Sequence, residues 1–232
     1  MNHHSPADPA PANALVEQVI SLVELVEPPT LKVLIVCTGN ICRSPLAEQL
    51  LRAKAQALGV PLAVTSAGTR AMLGHAMTPE AAALSVQYGS TSTTHKPAQL
   101  TMSLVIEADL ILTATRDHRA EVVSLTPKAI RKTFTLMQFA RLAPTLVDLL
   151  GPPSSLVEPV ETTPERLELL KTLLSKTSEA RSLVQPPVAL TDDDVVDPYK
   201  QPQPVYDSVA AEIDRAATTI TQAFAAALKR VK

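Results

Sequence analysis

Between Val33 and Pro45 the chain reads VLIVCTGNICRSP: an apolar run ends on Cys37, and Arg43 and Ser44 follow after Thr38, Gly39, Asn40, Ile41 and Cys42. A loop of this kind between a strand and a helix can turn successive backbone N–H groups inward into an anion-binding nest, with Gly39 expected to supply a positive φ. The helix expected from Pro45 adds the positive end of its dipole. A cysteine at the base of such a nest loses its proton readily, because the same dipoles stabilise the thiolate. Cys37 is therefore expected to attack as a thiolate. Arg43 can grip two oxygens of a tetrahedral anion in its planar fork, in the ground state and as charge spreads in the transition state, which a lysine cannot. Ser44 can donate a hydrogen bond to the sulfur and help it leave in a second step. The string describes phosphoryl transfer to cysteine, with Thr38, Gly39, Asn40, Ile41, Cys42 and Ser44 as the phosphate-binding loop. Two small buried cysteines would account for Cys37 and Cys42 alone, but the joint pattern of strand, Cys, Gly, Arg, Ser and proline favours the catalytic loop. No cofactor is expected, and a metal pair is disfavoured by the four residues between the two thiols and the lack of a nearby histidine.

Such a loop needs a strand before it and a helix behind it. Val33–Val36 is short, β-branched and apolar on both faces, as expected of a central parallel strand. Pro45 suits a first helical position, Leu46, Leu50, Ala53 and Leu58 form a stripe, and Gly59 suits a left-handed stop. Further strands are expected at Leu62–Ser66, in ADLILTA from Ala108, and over Arg131–Leu136. Helices are expected from Thr78 to near Gly89, over His118–Leu125, and over Val205–Val231. This alternation predicts an α/β fold: a flavodoxin-like, four-stranded parallel sheet with helices on both faces, Cys37 lying at the carboxyl end of a strand. PERLELLKTLLSKTSEA, between Pro/Ser-rich ends, predicts a helical insert at about 143–190, an elaboration of one domain spanning 31–232. Residues 1–30 read as an extension: a Pro/Ala-rich disordered tail, whose His3-His4 pair has no visible metal partner, then a short helix over Leu15–Val26.

The 232 residues carry 21 basic and 23 acidic side chains, a formal charge of −2 with no long run of either sign, so neither nucleic acid nor an anionic membrane surface is an expected partner. With two cysteines, no secretory leader and no apolar run near the ~20 residues that span a bilayer, a reduced cytoplasmic setting is expected. Nothing in the composition speaks to oligomeric state.

VCTGNICRSPLAE resembles the signature of the low-molecular-weight protein tyrosine phosphatases, and VDPY at Val196–Tyr199 resembles that family's distant acid motif. The resemblance covers about Lys32–Leu142 and Val195 onward. It implies a metal-independent hydrolase of phosphotyrosine that passes through a cysteinyl-phosphate. Asp197 would protonate the leaving phenol oxygen and then activate water. Read alone, Asp197 differs from Asp192, Asp193, Asp194 and Asp207, taken as solvated surface, only in standing before a stiffening proline. The resemblance also implies that Ser66 and His95 hold Asn40 in a strained conformation. Cys42 would be a thiol able to form a reversible disulfide with Cys37, although a plain packing role stays open. The implied partner is a tyrosine-phosphorylated protein, a cognate tyrosine kinase among the possibilities.

The chain departs from the family pattern in several places. Ala114-Thr115 stands where the family often has Met-Asp, whose acid helps fix the arginine, and Asp117 is the expected substitute. Lys96-Pro97-Ala98 lacks the usual arginine. The substrate wall offers Tyr199 and Met72, the latter where an aromatic is common; with no Trp and three Tyr, a phenol ring has few stacking partners. Ile41 stands where arginine-phosphate-specific relatives carry threonine, and its apolar bulk favours an aryl phosphate. Two rivals are an arsenate reductase-like thiol enzyme, disfavoured by the absence of further resolving cysteines, and a non-catalytic anion-binding module, which would have no need of Cys37 or Asp197.

Overall fold

A computed structural model describes residues 29–91, 94–151 and 162–229. The expected N-terminal tail and its helix, and the Pro/Ser-rich start of the insert, lie outside them. Four strands, β1 (Leu31–Cys37), β2 (Leu62–Gly68), β3 (Leu110–Thr113) and β4 (Thr133–Thr135), form one parallel sheet in the order β2-β1-β3-β4. The chain winds from β1 outward to β2, then returns past β1 to build β3 and β4 on its other side. The direction of winding reverses at β1, which opens a crevice at its carboxyl end. Cys37 is the last residue of that strand.

The unbroken apolar run of β1 serves two cores. Leu31, Val33 and Ile35 join the larger one, Leu34 and Val36 the smaller. The larger core is roofed by α1 (Arg43–Ala57), α2 (Pro79–Gln87), α5 (Leu136–Asp148) and the long α8 (Gln203–Lys229). On the opposite face lie α3 (Met102–Glu107), α4 (Arg116–Leu125) and the 3-10 turn Pro127–Lys132. Within the insert, α6 (Thr163–Ser175) and α7 (Thr177–Leu183) bury Leu170, Leu173 and Ala180 in the larger core. The chain's three phenylalanines bind this side together, edge to face: Phe134 of β4 lies 5.4 Å from Phe139 of α5, which lies 6.1 Å from Phe224 of α8. Arg181 of α7 sits 4.4 Å above the Phe134 ring.

Several boundaries differ from those expected. Pro45 is the third residue of α1, not the first; the lost N–H costs nothing there because the first four helical N–H groups have no partner in the helix. The fourth strand is only Thr133–Thr135: Pro127 starts a 3-10 helix on one side, and on the other the Thr135 hydroxyl caps α5 by accepting from Gln138 N at 3.1 Å. Helix α3 was not expected, being six residues long and too short to show a periodicity. No helix among the described residues is long and apolar enough to cross a membrane.

Candidate active site

The loop after β1 is built by fixing its carbonyls. Cys37 O accepts from Thr69 N at 2.9 Å, Thr38 O from Arg70 N at 3.0 Å, Gly39 O from Met72 N at 2.9 Å, Ile41 O from Thr78 N at 2.9 Å and Cys42 O from Leu46 N at 3.1 Å. Asn40 O accepts from His95 Nε2 at 2.7 Å. In a trans peptide the C=O and the following N–H point opposite ways. With these carbonyls bound elsewhere, the N–H groups of residues 38–43 are turned away from those partners, and the loop runs into the start of α1. That arrangement suits an anion.

The positive φ belongs to Asn40, at 55°, and not to Gly39. Asn40 can hold it because its amide is fully used: Nδ2 donates to Ser44 Oγ and Ser66 Oγ, both at 2.8 Å, and Oδ1 accepts from Ala98 N at 2.8 Å. It is completely buried. A Cβ at Gly39 would stand 3.4–3.5 Å from the Ile41 and Met72 side chains, ordinary van der Waals contact, so neither φ nor space demands a glycine there. The Ala98 backbone supplies the support from this loop. Behind it, Glu48 accepts from Ser66 Oγ at 2.5 Å and pairs with Arg52, and its carboxylate lies 3.9 Å from His95 Nδ1.

Because Ser44 Oγ accepts from Asn40, its own proton is free for Cys37 Sγ, 2.9 Å away. Arg43 is buried, with Nη1 donating to Val195 O at 3.2 Å and Nη2 to Asp197 Oδ2 at 2.7 Å and to Thr38 Oγ1 at 3.5 Å. Asp197, not Asp117, is therefore the acid that meets Arg43. Its Nε is buried without a partner, an unmet donor that suits an oxyanion. Cys42 lies 3.5 Å from Thr78 Oγ1 and 3.9 Å from Tyr206 OH. Burial pushes its thiol up, against these two hydroxyls and with a contribution from Cys37. Both cysteines are free thiols.

The loop that carries Asp197 is tied down just before it. Asp193 grips Arg141 with both oxygens, Asp194 accepts from Arg116 N at 2.7 Å at the start of α4, and Val195 N donates to Ala114 O at 2.8 Å. Asp193 and Asp194 are thus anchors, not solvated surface. A cavity of about 170 Å³ is lined by Cys37, Thr38, Gly39, Ile41, Cys42, Arg43, Arg70, Met72, Asp197 and Tyr199. It brings the expected nucleophile, arginine, acid and wall residues together, while Asn40, Ser44, Ser66 and His95 lie behind them.

Four contributors escaped the sequence reading. Glu48 stands inside the quoted PLAE and Gly68 inside TSAGT, so their positions were in view but their roles were not. A Cβ on Gly68 would fall 2.4 Å from Thr38 O, so only glycine lets β2 approach the loop this closely. Arg70, on the cavity wall, and His118, 2.8 Å from Thr38 Oγ1, had no local signal.

Residues 32–179 match the family model described as low molecular weight phosphotyrosine protein phosphatase. A probable low molecular weight protein-tyrosine-phosphatase, EpsP, of Ralstonia solanacearum is 43% identical over 105 residues, covering 45% of this chain and 69% of that protein. A protein-arginine-phosphatase of Bacillus subtilis is 33% identical over 145 residues, covering 62% and 94%. The crystal structure of a low molecular weight protein tyrosine phosphatase from T. tengcongensis superposes with a TM-score of 0.58 at 27% identity, covering 83% of this chain and 99% of that one.

Proposed function

The chain belongs to the low molecular weight phosphotyrosine protein phosphatase family, and from that premise we propose that it hydrolyses phosphotyrosine in proteins through a cysteinyl-phosphate. The observation that carries the reading is Cys37 Sγ at the base of the loop, 2.9 Å from Ser44 Oγ, with Arg43 and Asp197 on the wall of the same cavity. In the first step the Cys37 thiolate attacks phosphorus, the S–P bond forms and the P–O bond to the phenol breaks. Protonated Asp197 gives its proton to the departing oxygen. In the second step Asp197 takes a proton from water, the water oxygen bonds to phosphorus, and the S–P bond breaks toward a thiolate that Ser44 stabilises. The loop and Arg43 bind the equatorial oxygens in both steps.

An aryl ester is supported by Ile41, Met72 and Tyr199, which give the cavity apolar walls of a size to hold a ring. The substrate is a tyrosine-phosphorylated protein, a cognate tyrosine kinase being one form it can take. Free thiols at Cys37 and Cys42 support a cytoplasmic setting. We read residues 31–232 as one phosphatase domain, with α6 and α7 as its elaboration, because their buried residues share the main core. The test is metal-free hydrolysis of p-nitrophenyl phosphate, a phosphotyrosine peptide and a phosphoarginine peptide. Wild type is expected to prefer the phosphotyrosine peptide, Cys37→Ser to be inert, and Asp197→Ala to be slowed most on the poorer leaving group. Preference for phosphoarginine would move the substrate class, and an inert wild type would return the chain to the anion-binding reading.

A further inference from the structure

Arg43 has no carboxylate reserved for holding it. Among the described residues its one ion pair is with Asp197, 2.7 Å away, and the reading above gives Asp197 another task. A phosphate dianion competes for the same guanidinium hydrogens, so Asp197 is released toward the leaving oxygen as the cavity fills. Apart from Val195 O, what still braces the guanidinium is an uncharged chain. Thr115 Oγ1 lies 2.7 Å from His118 Nδ1, His118 Nε2 lies 2.8 Å from Thr38 Oγ1, and Thr38 Oγ1 accepts from Arg43 Nη2 at 3.5 Å.

We propose that His118 is a positioning residue of this enzyme: its neutral imidazole, clamped between Thr115 and Thr38, fixes the first residue of the phosphate-binding loop and, through it, Arg43. The inference rests on the phosphatase reading. His118 is 5% exposed, and both ring nitrogens have partners, as a buried imidazole requires. A helix-capping role alone would use only Thr115, whose hydroxyl already accepts from His118 N at 3.3 Å. The second nitrogen reaches out of α4 to the loop.

The charges around the ring agree. Burial first, and Arg43 second, push the imidazole below the ordinary histidine range; Glu121 and Asp197 oppose this and Arg70 adds to it. At neutral pH the ring is uncharged. A proton would make both nitrogens donors and set a second cation beside Arg43, so the neutral ring is the form that sits between Thr115 and Thr38.

Phosphate affinity is read in two ways: inorganic phosphate as competitor of p-nitrophenyl phosphate hydrolysis, and inorganic phosphate as protector of Cys37 against iodoacetate, which needs no turnover. Losing the brace in His118→Ala is expected to raise Ki, KM and the half-protecting phosphate concentration together by roughly 5- to 30-fold, kcat falling less. His118→Gln, which can still bridge two hydroxyls, is expected to recover part of this. Thr115→Val repeats a smaller effect and decides the matter if His118→Ala does not fold. Protection and KM within twofold of wild type in the folded variants would overturn the proposal. A wild type that is protected by phosphate yet hydrolyses no ester refutes the phosphatase reading and leaves the alkylation arm to judge His118; a wild type that is not protected refutes both.

Discussion

Gly68→Ala, set against Gly59→Ala, separates stability from catalysis. The new Cβ would meet Thr38 O at 2.4 Å, Ala71 Cα at 3.0 Å and Asn40 Cβ at 3.1 Å. None of these can swing aside. Thr38 O is bound by Arg70 N at 3.0 Å, and the Asn40 amide is held by Ser44, Ser66 and Ala98. The loop must therefore retreat from β2 by more than half an ångström, carrying with it the peptide that cradles the phosphate. Overpacking of this kind costs about 1–3 kcal/mol. A misplacement near 1 Å in a site costs about 100-fold in rate, so about 10- to 100-fold is expected in kcat/KM. Gly59→Ala is the control: at φ +64° with no atom within 4 Å, it strains only its own backbone. It is expected to cost about 1–2 kcal/mol and no activity. Urea denaturation and kcat/KM on p-nitrophenyl phosphate, measured on the same preparations, give both numbers for each variant. A Gly68→Ala enzyme with kcat/KM within twofold of wild type would refute the reasoning, as would a Gly59→Ala enzyme that loses as much activity.

Asn40→Ala removes the bonds to Ser44, Ser66 and Ala98 at once; it is expected to lose about 1–3 kcal/mol in urea melts and more than about tenfold in kcat/KM, since unpaired buried groups remain behind. Arg181→Ala removes the cation from above Phe134, 4.4 Å from its ring centre; about 0.5–1 kcal/mol of stability should go while kcat/KM stays unchanged, a test by denaturation of whether the insert is docked where described. Because burial pushes the Cys42 thiol up, iodoacetate near neutral pH is expected to modify Cys37 in wild type and in Cys42→Ser, and to leave Cys37→Ser almost untouched by mass spectrometry. Equal labelling of both thiols would contradict the environment described for Cys42.

The phosphate loop could be read from the sequence because its chemistry is local. Nucleophile, cradle, arginine and serine lie within eight consecutive residues, Cys37 to Ser44, and the apolar run before them marks a buried strand. The four-stranded parallel sheet was legible for a similar reason, as its strands and the longer helices announce themselves within their own length. Asp197, 154 positions from Arg43, was reached through a resemblance and not through its neighbours. Where the sequence pointed to a local cause it could point to the wrong one: the glycine looked like the residue for positive φ, but Asn40 takes it, because hydrogen bonds from β2 and the loop after His95 make it the better-held residue.

Chemistry, then, was set by consecutive residues, whereas its support was set by strand order. Pairing of β1 with β2 places Cys37 opposite Gly68, which brings Ser66 under Asn40 and makes a glycine necessary. Pairing of β1 with β3 brings Thr115 and His118 beside Thr38. Glu48, Asp193 and Asp194 become buried or half-buried partners only when helices and loops from distant parts of the chain close over them. A polar side chain carries no sign of its partner in its own neighbourhood; which group satisfies it, and so whether it is surface or scaffold, is decided by the packing that excludes water from it.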